Sequence, residues 1–291
     1  MVNFLKYRLI YFLISLLVIG AGLFSVFKWS YRYSIDFVGG SNLEYRFDKI
    51  VAEKSINKIL QNNKIQSVYL EIKNQNLSLR TKPLEQVQEN NLKNSLEKNL
   101  KVKITVLKSE TVGPTLGRET MIKTGVASIL AILGILIYMS FAFKGFNYAM
   151  AAILAIVHDL LVVIGCYSLL SHFYQAEVDT MFVTAVLTTM SFSVHDTIVI
   201  FDKIREYFQT EGKEDIEYFA NKALTETMVR SLNNSMTIVF MLLSLTLLGG
   251  TSIRFFIITL LVGTITGTYS SPFIATPILV WLEKRKKQKV N

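Results

Sequence analysis

Two His-Asp pairs stand where ionisable side chains are rare. His195 and Asp196 lie inside the apolar run Thr180–Phe201, and His158 and Asp159 lie inside the run Tyr148–Leu170. The two stretches echo each other, Val157-His158-Asp159 followed by four residues rich in Leu and Val, and Val194-His195-Asp196 followed by Thr-Ile-Val-Ile. An ionised carboxylate near the centre of a bilayer costs about 3 kcal/mol by insertion scales, so it is expected to face a bundle interior, a partner charge or water. A carboxylic acid in poorly hydrated surroundings holds its proton more tightly, and a nearby cation loosens it. That is the chemistry of a site that takes up and releases protons. Asp196 is the candidate carrier, and Arg230, just before the next apolar run, is the candidate cation. Ser231, Asn233, Asn234 and Ser235 follow it, an unusually polar entry to a span.

Plainer readings compete at each position. Arg230 reads equally well as a side chain snorkelling to the headgroups. His158 and His195 read as hydrogen-bonding residues of helix packing rather than ligands, and Asp159 as a residue that fixes helix contacts. Asp202 and Arg205, three apart at a span end, read as a surface ion pair. No set of His, Cys and carboxylates has metal-ligand spacing, so the site reads as metal-free. Cys166 is the single cysteine, which rules out an intrachain disulfide. The Gly-x-Gly-Asp and Tyr-Asp contexts of an intramembrane aspartyl protease are missing at both acids, and no enzymatic activity is expected.

The elements that carry these residues are membrane spans. The chain has 291 residues, 51% of them hydrophobic, and a mean hydropathy of +0.37. Apolar runs of about 20 residues match a hydrocarbon core of roughly 30 Å. Six such runs occur, at 9–27, 122–143, 148–170, 180–201, 232–248 and 255–282. The cluster Gly20-Ala21-Gly22 imitates a signal-peptide cleavage site, but the run continues to Phe27, which favours an uncleaved span. The formal net charge of +9 would point to nucleic acid in a soluble protein. Here the cations flank the spans, so topology and anionic lipid account for them, and no nucleic-acid partner is expected. Lys6, Arg8, Lys144, Lys203, Arg205, Lys213, Lys222, Arg230 and the run from Lys284 to Lys289 fall on one side. The loop His172–Asp179 carries Glu177 and Asp179 and no cation. The positive-inside rule then places both termini in the cytoplasm. Asp196 lies about 15 residues, roughly 23 Å, along its helix from the outer end. Glu206–Thr227 reads as a charged link containing a helix that lies on the membrane surface, through Glu217, Ala220, Leu224 and Met228. In the last span, Gly263 and Gly267 permit close helix contact and Pro272 and Pro277 predict a kink.

Between the first two spans lies a polar stretch long enough for one small domain. Leu43, Tyr45 and Phe47 alternate with polar residues, as do Val68, Leu70 and Ile72, and again Val102, Ile104 and Val106. Leu77 and Leu79 follow a turn at 74–76. Ile56, Ile59 and Leu60 share a helix face, Pro83 suits a helix first turn, and Leu92, Leu96 and Leu100 are four apart. The order β-α-β-β-α-β is that of the ferredoxin-like fold. Gly39-Gly40 and Gly113-Pro114 punctuate its two ends as turns or hinges. The expected division is 1–28 for the N-terminus and first span, 29–120 for the outer domain, 121–283 for five further spans with a cytoplasmic link at about 203–231, and 284–291 for a basic tail.

Several of these stretches together resemble the SecD/SecF family, the accessory membrane subunits of the bacterial Sec export machinery, and within it the smaller subunit. They are Ile35-Asp36-Phe37-Val38-Gly39-Gly40, Val112-Gly113-Pro114, the stretch from Val194 to Glu206, Arg230-Ser231-Leu232, Gly249-Gly250 and Gly267-Thr268-Tyr269-Ser270-Ser271. Ser34, Ser41 and Asn233-Asn234 depart from the family pattern, and none of them is expected to touch the acidic site. The resemblance implies an α-helical polytopic membrane protein with six transmembrane helices, half of an RND-type core, and a ferredoxin-like α+β periplasmic domain between helices 1 and 2. It implies location in the bacterial inner membrane and partnership with SecD, the SecYEG channel, YajC and translocating preproteins. It implies use of the proton-motive force, with Asp196 as the proton-carrying acid, Arg230 as its regulatory partner and no cofactor. A sodium gradient in place of protons stays open on the residues alone. So do two other functions, an RND-type half-transporter for small molecules or lipids and a structural clamp without ion coupling.

Overall fold

The computed structural model describes residues 2–143, 145–212 and 215–290. Lys144 and Lys213, two of the flanking cations named above, lie outside them. In chain order the elements are α1 (Arg8–Trp29), β1 (Arg32–Tyr33), α2 (Ile35–Val38), β2 (Gly40–Phe47), α3 (Glu53–Asn62), β3 (Ser67–Lys73), β4 (Asn76–Thr81), α4 (Gln86–Leu100), β5 (Ile104–Val112), α5 (Pro114–Ala142), α6 (Phe146–Tyr174), β6 (Glu177–Val178), α7 (Thr180–Thr210), α8 (Ile216–Leu248), α9 (Arg254–Ser270) and α10 (Thr276–Val290). They form two units, Met1–Arg32 with Ala127–Asn291, and Tyr33–Val126.

The first unit is helical. Among the described residues six helices are long and apolar enough to cross a membrane: Phe4–Trp29, Pro114–Ala142, Phe146–Tyr174, Thr180–Thr210, Ile216–Leu248 and Arg254–Lys286. A helix satisfies its own backbone polar groups, which lipid cannot do. The sixth span is interrupted as its prolines predict. Pro272 falls in a π-helical turn, Ser271–Ala275, and Pro277 opens α10. A proline has no amide hydrogen and crowds the preceding turn, so the helix re-forms with a shifted ladder.

Small residues set the closest helix crossings. A Cβ on Gly267 would stand 3.1 Å from the Cα of Ser193, and Gly263 lies against Thr189, so α9 rides directly on α7. A Cβ on Gly22 would stand 2.6 Å from the Cα of Gly165. The small-residue cluster near the N-terminus is therefore a packing surface of α1 on α6. Beside it the hydroxyls of Ser25 and Ser168 meet at 2.9 Å.

The charged link differs from expectation. Residues 216–227 are not a separate surface helix but the first turns of α8, which continues unbroken into the fifth span. Ile216, Phe219, Ala220, Ala223 and Leu224 are fully buried, in one core with Leu5, Ile204, Tyr207 and Leu279. The same periodicity serves a lipid surface or a protein core. Here protein is in reach, because α7 extends past Phe201 to Thr210 and supplies it.

The second unit is a four-stranded antiparallel sheet in the order β3-β4-β2-β5, the ferredoxin-like order, with α3 and α4 as its two helices. Leu43, Tyr45, Phe47, Leu77 and Leu79 pack with Ile56, Ile59, Leu60, Leu92 and Leu96. Burial, and after it the Glu89 carboxylate, push the Tyr45 phenol above its ordinary pKa. Three expectations shift. Val68 is 68% exposed, and Val106 is 41% exposed. The pairing of β3 with β4 slips between Ser67 and Tyr69, which leaves Val68 at a bulge, and that of β2 with β5 slips between Glu44 and Tyr45, which turns the alternation of β5 only after Val106. Pro83 precedes α4 rather than opening it, because Glu85 and Gln88 form a capping box at Gln86. Ser34 caps α2 by accepting from the Asp36 amide, and the Ser41 hydroxyl accepts from the Leu84 amide at 2.8 Å. These two departures from the family pattern thus hold turns.

The glycine punctuations belong to this unit and meet within it. Gly39 has φ +73°, and a Cβ there would stand 2.8 Å from the Cα of Pro114. A Cβ on Gly117 would stand 2.8 Å from the Gly39 amide nitrogen. Pro114 opens α5, where its missing amide hydrogen costs nothing. Gly113 has no atom near its missing side chain. Gly117→Val is accordingly expected to destabilise the domain by about 1–3 kcal/mol through overpacking. Gly113→Ala should be neutral, and thermal unfolding of the purified chain compares the two.

Candidate functional site

Four helices bring the membrane acids together. Asp159 on α6 is 4% exposed. Its Oδ2 accepts from the Ser270 hydroxyl at 2.6 Å and from the Ser193 hydroxyl, and its Oδ1 lies 2.8 Å from His158 Nδ1. Ser193 is on α7 and Ser270 ends α9, so one carboxylate ties three helices. A second tie lies beside it. The Thr197 and Ser271 hydroxyls are 2.9 Å apart, and Ser271 also reaches the carbonyl oxygens of Gly267 and Ser193 at 3.1 and 3.3 Å.

Asp196 lies one turn further along α7 than Ser193, about 4.5 Å along the axis. It is 8% exposed. Its Oδ2 accepts from the Ser231 hydroxyl of α8 at 2.8 Å. Beside it is a cavity of about 20 Å³ between α7, α8 and α9. Its polar lining is His195, Asp196, Asn234, Ser235, Thr264 and Thr268, and its apolar lining is Phe192 and Ile238. That volume accommodates one water molecule.

The two acids are thus held differently. Asp159 is surrounded by an imidazole and two hydroxyls, leaving little room for exchange. Asp196 has one hydroxyl donor and a polar cavity. Arg230 is exposed, and it makes no ion pair with Asp196. The adjacent Ser231 fills the position expected of it. His195 is exposed on the outer face of α7 and lines the cavity, whereas His158 is buried against Asp159. Asp202 and Arg205 form the expected surface pair at 3.0 Å. The expectation that no departure from the family pattern touches the acidic site is overturned at Asn234, which lines the Asp196 cavity. Gly39, Gly40, Gly113 and Pro114 belong to the other unit.

Sequence reasoning did not single out Ser193, Thr197, Ser270 and Ser271 as partners. Their signal was local: Ser193 and Thr197 flank Asp196 at three residues before and one after, and Ser270-Ser271 closes the Gly267 motif. Hydroxyls at such spacing are common in membrane helices and bond their own carbonyls, as Thr184 and Thr188 do here.

The family model described as protein export membrane protein SecD/SecF, C-terminal, matches residues 91–285, and that of the SecD/SecF GG motif matches residues 32–49. The chain belongs to the SecD/SecF family. Members similar to it include a protein translocase subunit SecF of Thermobaculum terrenum, 38% identical over 98% of this chain and 95% of the relative. Another is that of Anaerolinea thermophila, 37% identical over 96% of this chain and 94% of the relative. The crystal structure of SecDF, described as a translocon-associated membrane protein, from Thermus thermophilus superposes with a TM-score of 0.82 at 29% identity. That match covers 98% of this chain but 39% of the solved one, so the family fold is met here in one part of a longer arrangement. Family membership and the six apolar helices make this a multi-pass membrane protein.

The ties at Asp159 carry a stability prediction. Asp159→Leu leaves the buried Ser193 hydroxyl without its acceptor and Ser270 with only the Gly267 carbonyl at 3.3 Å, and is expected to cost about 1–3 kcal/mol. Asp159→Asn keeps an acceptor oxygen and should cost less. Thermal unfolding in detergent ranks the two, and equal melting temperatures would contradict the assigned tie.

Proposed function

We propose that this chain is an auxiliary subunit of the Sec protein translocase. Together with a SecD partner it uses the proton-motive force to promote late stages of preprotein export across the bacterial inner membrane. The observation that carries the reading is Asp196, a buried carboxylate with one hydroxyl donor and a polar cavity beside it. An acid so placed can change its protonation without dismantling the helix ties, which run through Asp159. In this reading Asp196 carries the proton. Arg230, free of any ion pair with it in this conformation, approaches when the helices move and promotes release. His195 lines the route, and His158 with Asp159 supports the packing. No cofactor enters, and no bond is made or broken beyond the proton transfer.

The need for a second membrane chain is supported by α7 and α8. His195, Asn233 and Asn234 are exposed within these helices and make no side-chain hydrogen bond among the described residues. Lipid tails offer them no partner. SecD suits that face, since the solved SecDF relative contains more than the part this chain matches. The SecYEG channel, YajC and preproteins enter as partners by membership of the family. Cations at Lys6, Arg8, Lys203, Arg205 and Lys284 favour cytoplasmic termini and contact with anionic lipid, which leaves the ferredoxin-like unit periplasmic. Gly39, Gly40, Gly113 and Pro114 form the compact turn at its base, a hinge when the domain moves.

Asp196→Asn tests the reading. It keeps the shape and the Ser231 contact but cannot change charge. In membrane vesicles with the full translocase, it is expected to abolish the gradient-dependent part of preprotein export and leave the ATP-driven part intact. If gradient dependence persists, the clamp without ion coupling is the better account, and the Asp159 ties are its basis. Exchanging sodium for potassium outside the vesicles separates sodium coupling from proton coupling.

A further inference from the structure

Helix α9 carries four threonines, and one behaves unlike the rest. Thr259, Thr266 and Thr268 each donate the hydroxyl to the carbonyl four residues back, at 2.7, 2.8 and 2.8 Å. Thr264 has the same option in Leu260 and does not use it. Its Oγ1 is fully buried with no hydrogen-bond partner, in a residue only 3% exposed. A buried hydroxyl left unsatisfied is costly, about 1–3 kcal/mol, and a local bond would relieve it. Thr264 is one of the residues lining the cavity beside Asp196.

The rest of the lining is arranged around that orphan. Thr268, one turn along α9, brings its hydroxyl to 2.7 Å from that of Ser235 on α8. Ser235 follows Ser231, the donor to Asp196, by one helical turn. Ser235 on α8 and Thr264 with Thr268 on α9 thus line one small cavity that Asp196 also borders. Gly263 and Gly267 let α9 approach α7 closely beside it. Thr264 lies toward the Thr180 end of α7, since its neighbour Gly263 packs on Thr189, two turns before Asp196.

We infer that the cavity is a binding site for a single water molecule held on the Thr264 hydroxyl, and that Thr264 is a positioning residue for proton exchange at Asp196. The site is polar, about 20 Å³, and offers that water several oxygen partners, as a buried water needs. The second half of the inference rests on Asp196 being the proton carrier, as proposed above. The step is simple. A hydronium ion entering from the Thr180 end gives its proton to the Asp196 carboxylate and remains as the bound neutral water. Release toward the other side, promoted by Arg230 as proposed above, passes the proton from the carboxylic acid to a water molecule there as hydronium and restores the carboxylate.

Thr264→Val removes the hydroxyl and keeps the shape, and Thr264→Ser keeps the hydroxyl. A map of the complex that resolves ordered water should place one within hydrogen-bond distance of Thr264 Oγ1 in the wild type, and none there in Thr264→Val. An empty wild-type cavity, or a coordinated cation in it, overturns the site. In vesicles carrying the full translocase, Thr264→Val should slow gradient-dependent export about tenfold, as expected for one lost hydrogen bond in the transfer step. ATP-driven export without a gradient should not change, and Thr264→Ser should restore the wild-type rate. Unaltered gradient-dependent export in Thr264→Val, or failure of Thr264→Ser to restore it, overturns the positioning role. Asp196→Asn run in parallel separates the two ideas. Should it leave gradient dependence intact, the proton reading and the positioning role fall together, and the map alone decides the water site.

Discussion

A carboxylate in a bundle surrounded by lipid must be solvated by the protein itself. Asp159 meets that constraint with hydroxyl donors from two other helices and the His158 ring of its own. An unsupported charge at that depth costs about 3 kcal/mol on insertion scales. Each hydrogen bond to a charged group contributes about 1.5–3 kcal/mol, so the two hydroxyls together supply about 3–6 kcal/mol and offset the cost with a margin. The margin exists only while α6, α7 and α9 hold their present register. The acid therefore acts as a lock: helices that slide past one another strip it of donors. The close crossings at Gly263 and Gly267 are the steric condition for the same contact, because Ser193 reaches Asp159 from under Gly267.

Around that lock the second acid gains freedom. Asp196 shares α7 with Ser193, so its position is set by the Asp159 tie, while its own bonding is sparse. The result is a division of labour between two carboxylates in nearly identical sequence contexts. One holds helices, and the other faces a cavity. The difference lies in what α8 and α9 present to each. Ser270 completes the shell of Asp159, while Asn234 and Thr264 border a space at Asp196. The bend at Pro272 contributes here, because the π turn begins at Ser271 and sets that hydroxyl against Thr197.

Much of this protein was written along the chain. Hydrophobic run length dictated the spans, since lipid admits no backbone that fails to satisfy itself. Alternation dictated the sheet and its core residues Leu43, Tyr45, Phe47, Leu77 and Leu79, because strand side chains have period two. Proline chemistry dictated the break after Ser270, and the rarity of buried charge singled out Asp196 and Asp159. These are properties of single residues or of neighbours a few positions apart.

Tertiary structure decided everything that depends on which surface meets which. The amphipathic turns 216–227 could serve lipid or protein, and only the reach of α7 to Thr210 made them core. Val106 keeps the register of Ile104 opposite β2 and is still 41% exposed, although the local pattern was unchanged. Ser231 rather than Arg230 took the place beside Asp196, because the face of a helix one residue away points about 100° elsewhere. The partners of Asp159 lie 34 and 111 residues from it in sequence. Sequence spacing fixes what a side chain can do. Which of several equivalent hydroxyls stands within bonding distance is fixed only when helices cross, and that is a matter of packed volume, to which no local pattern is sensitive.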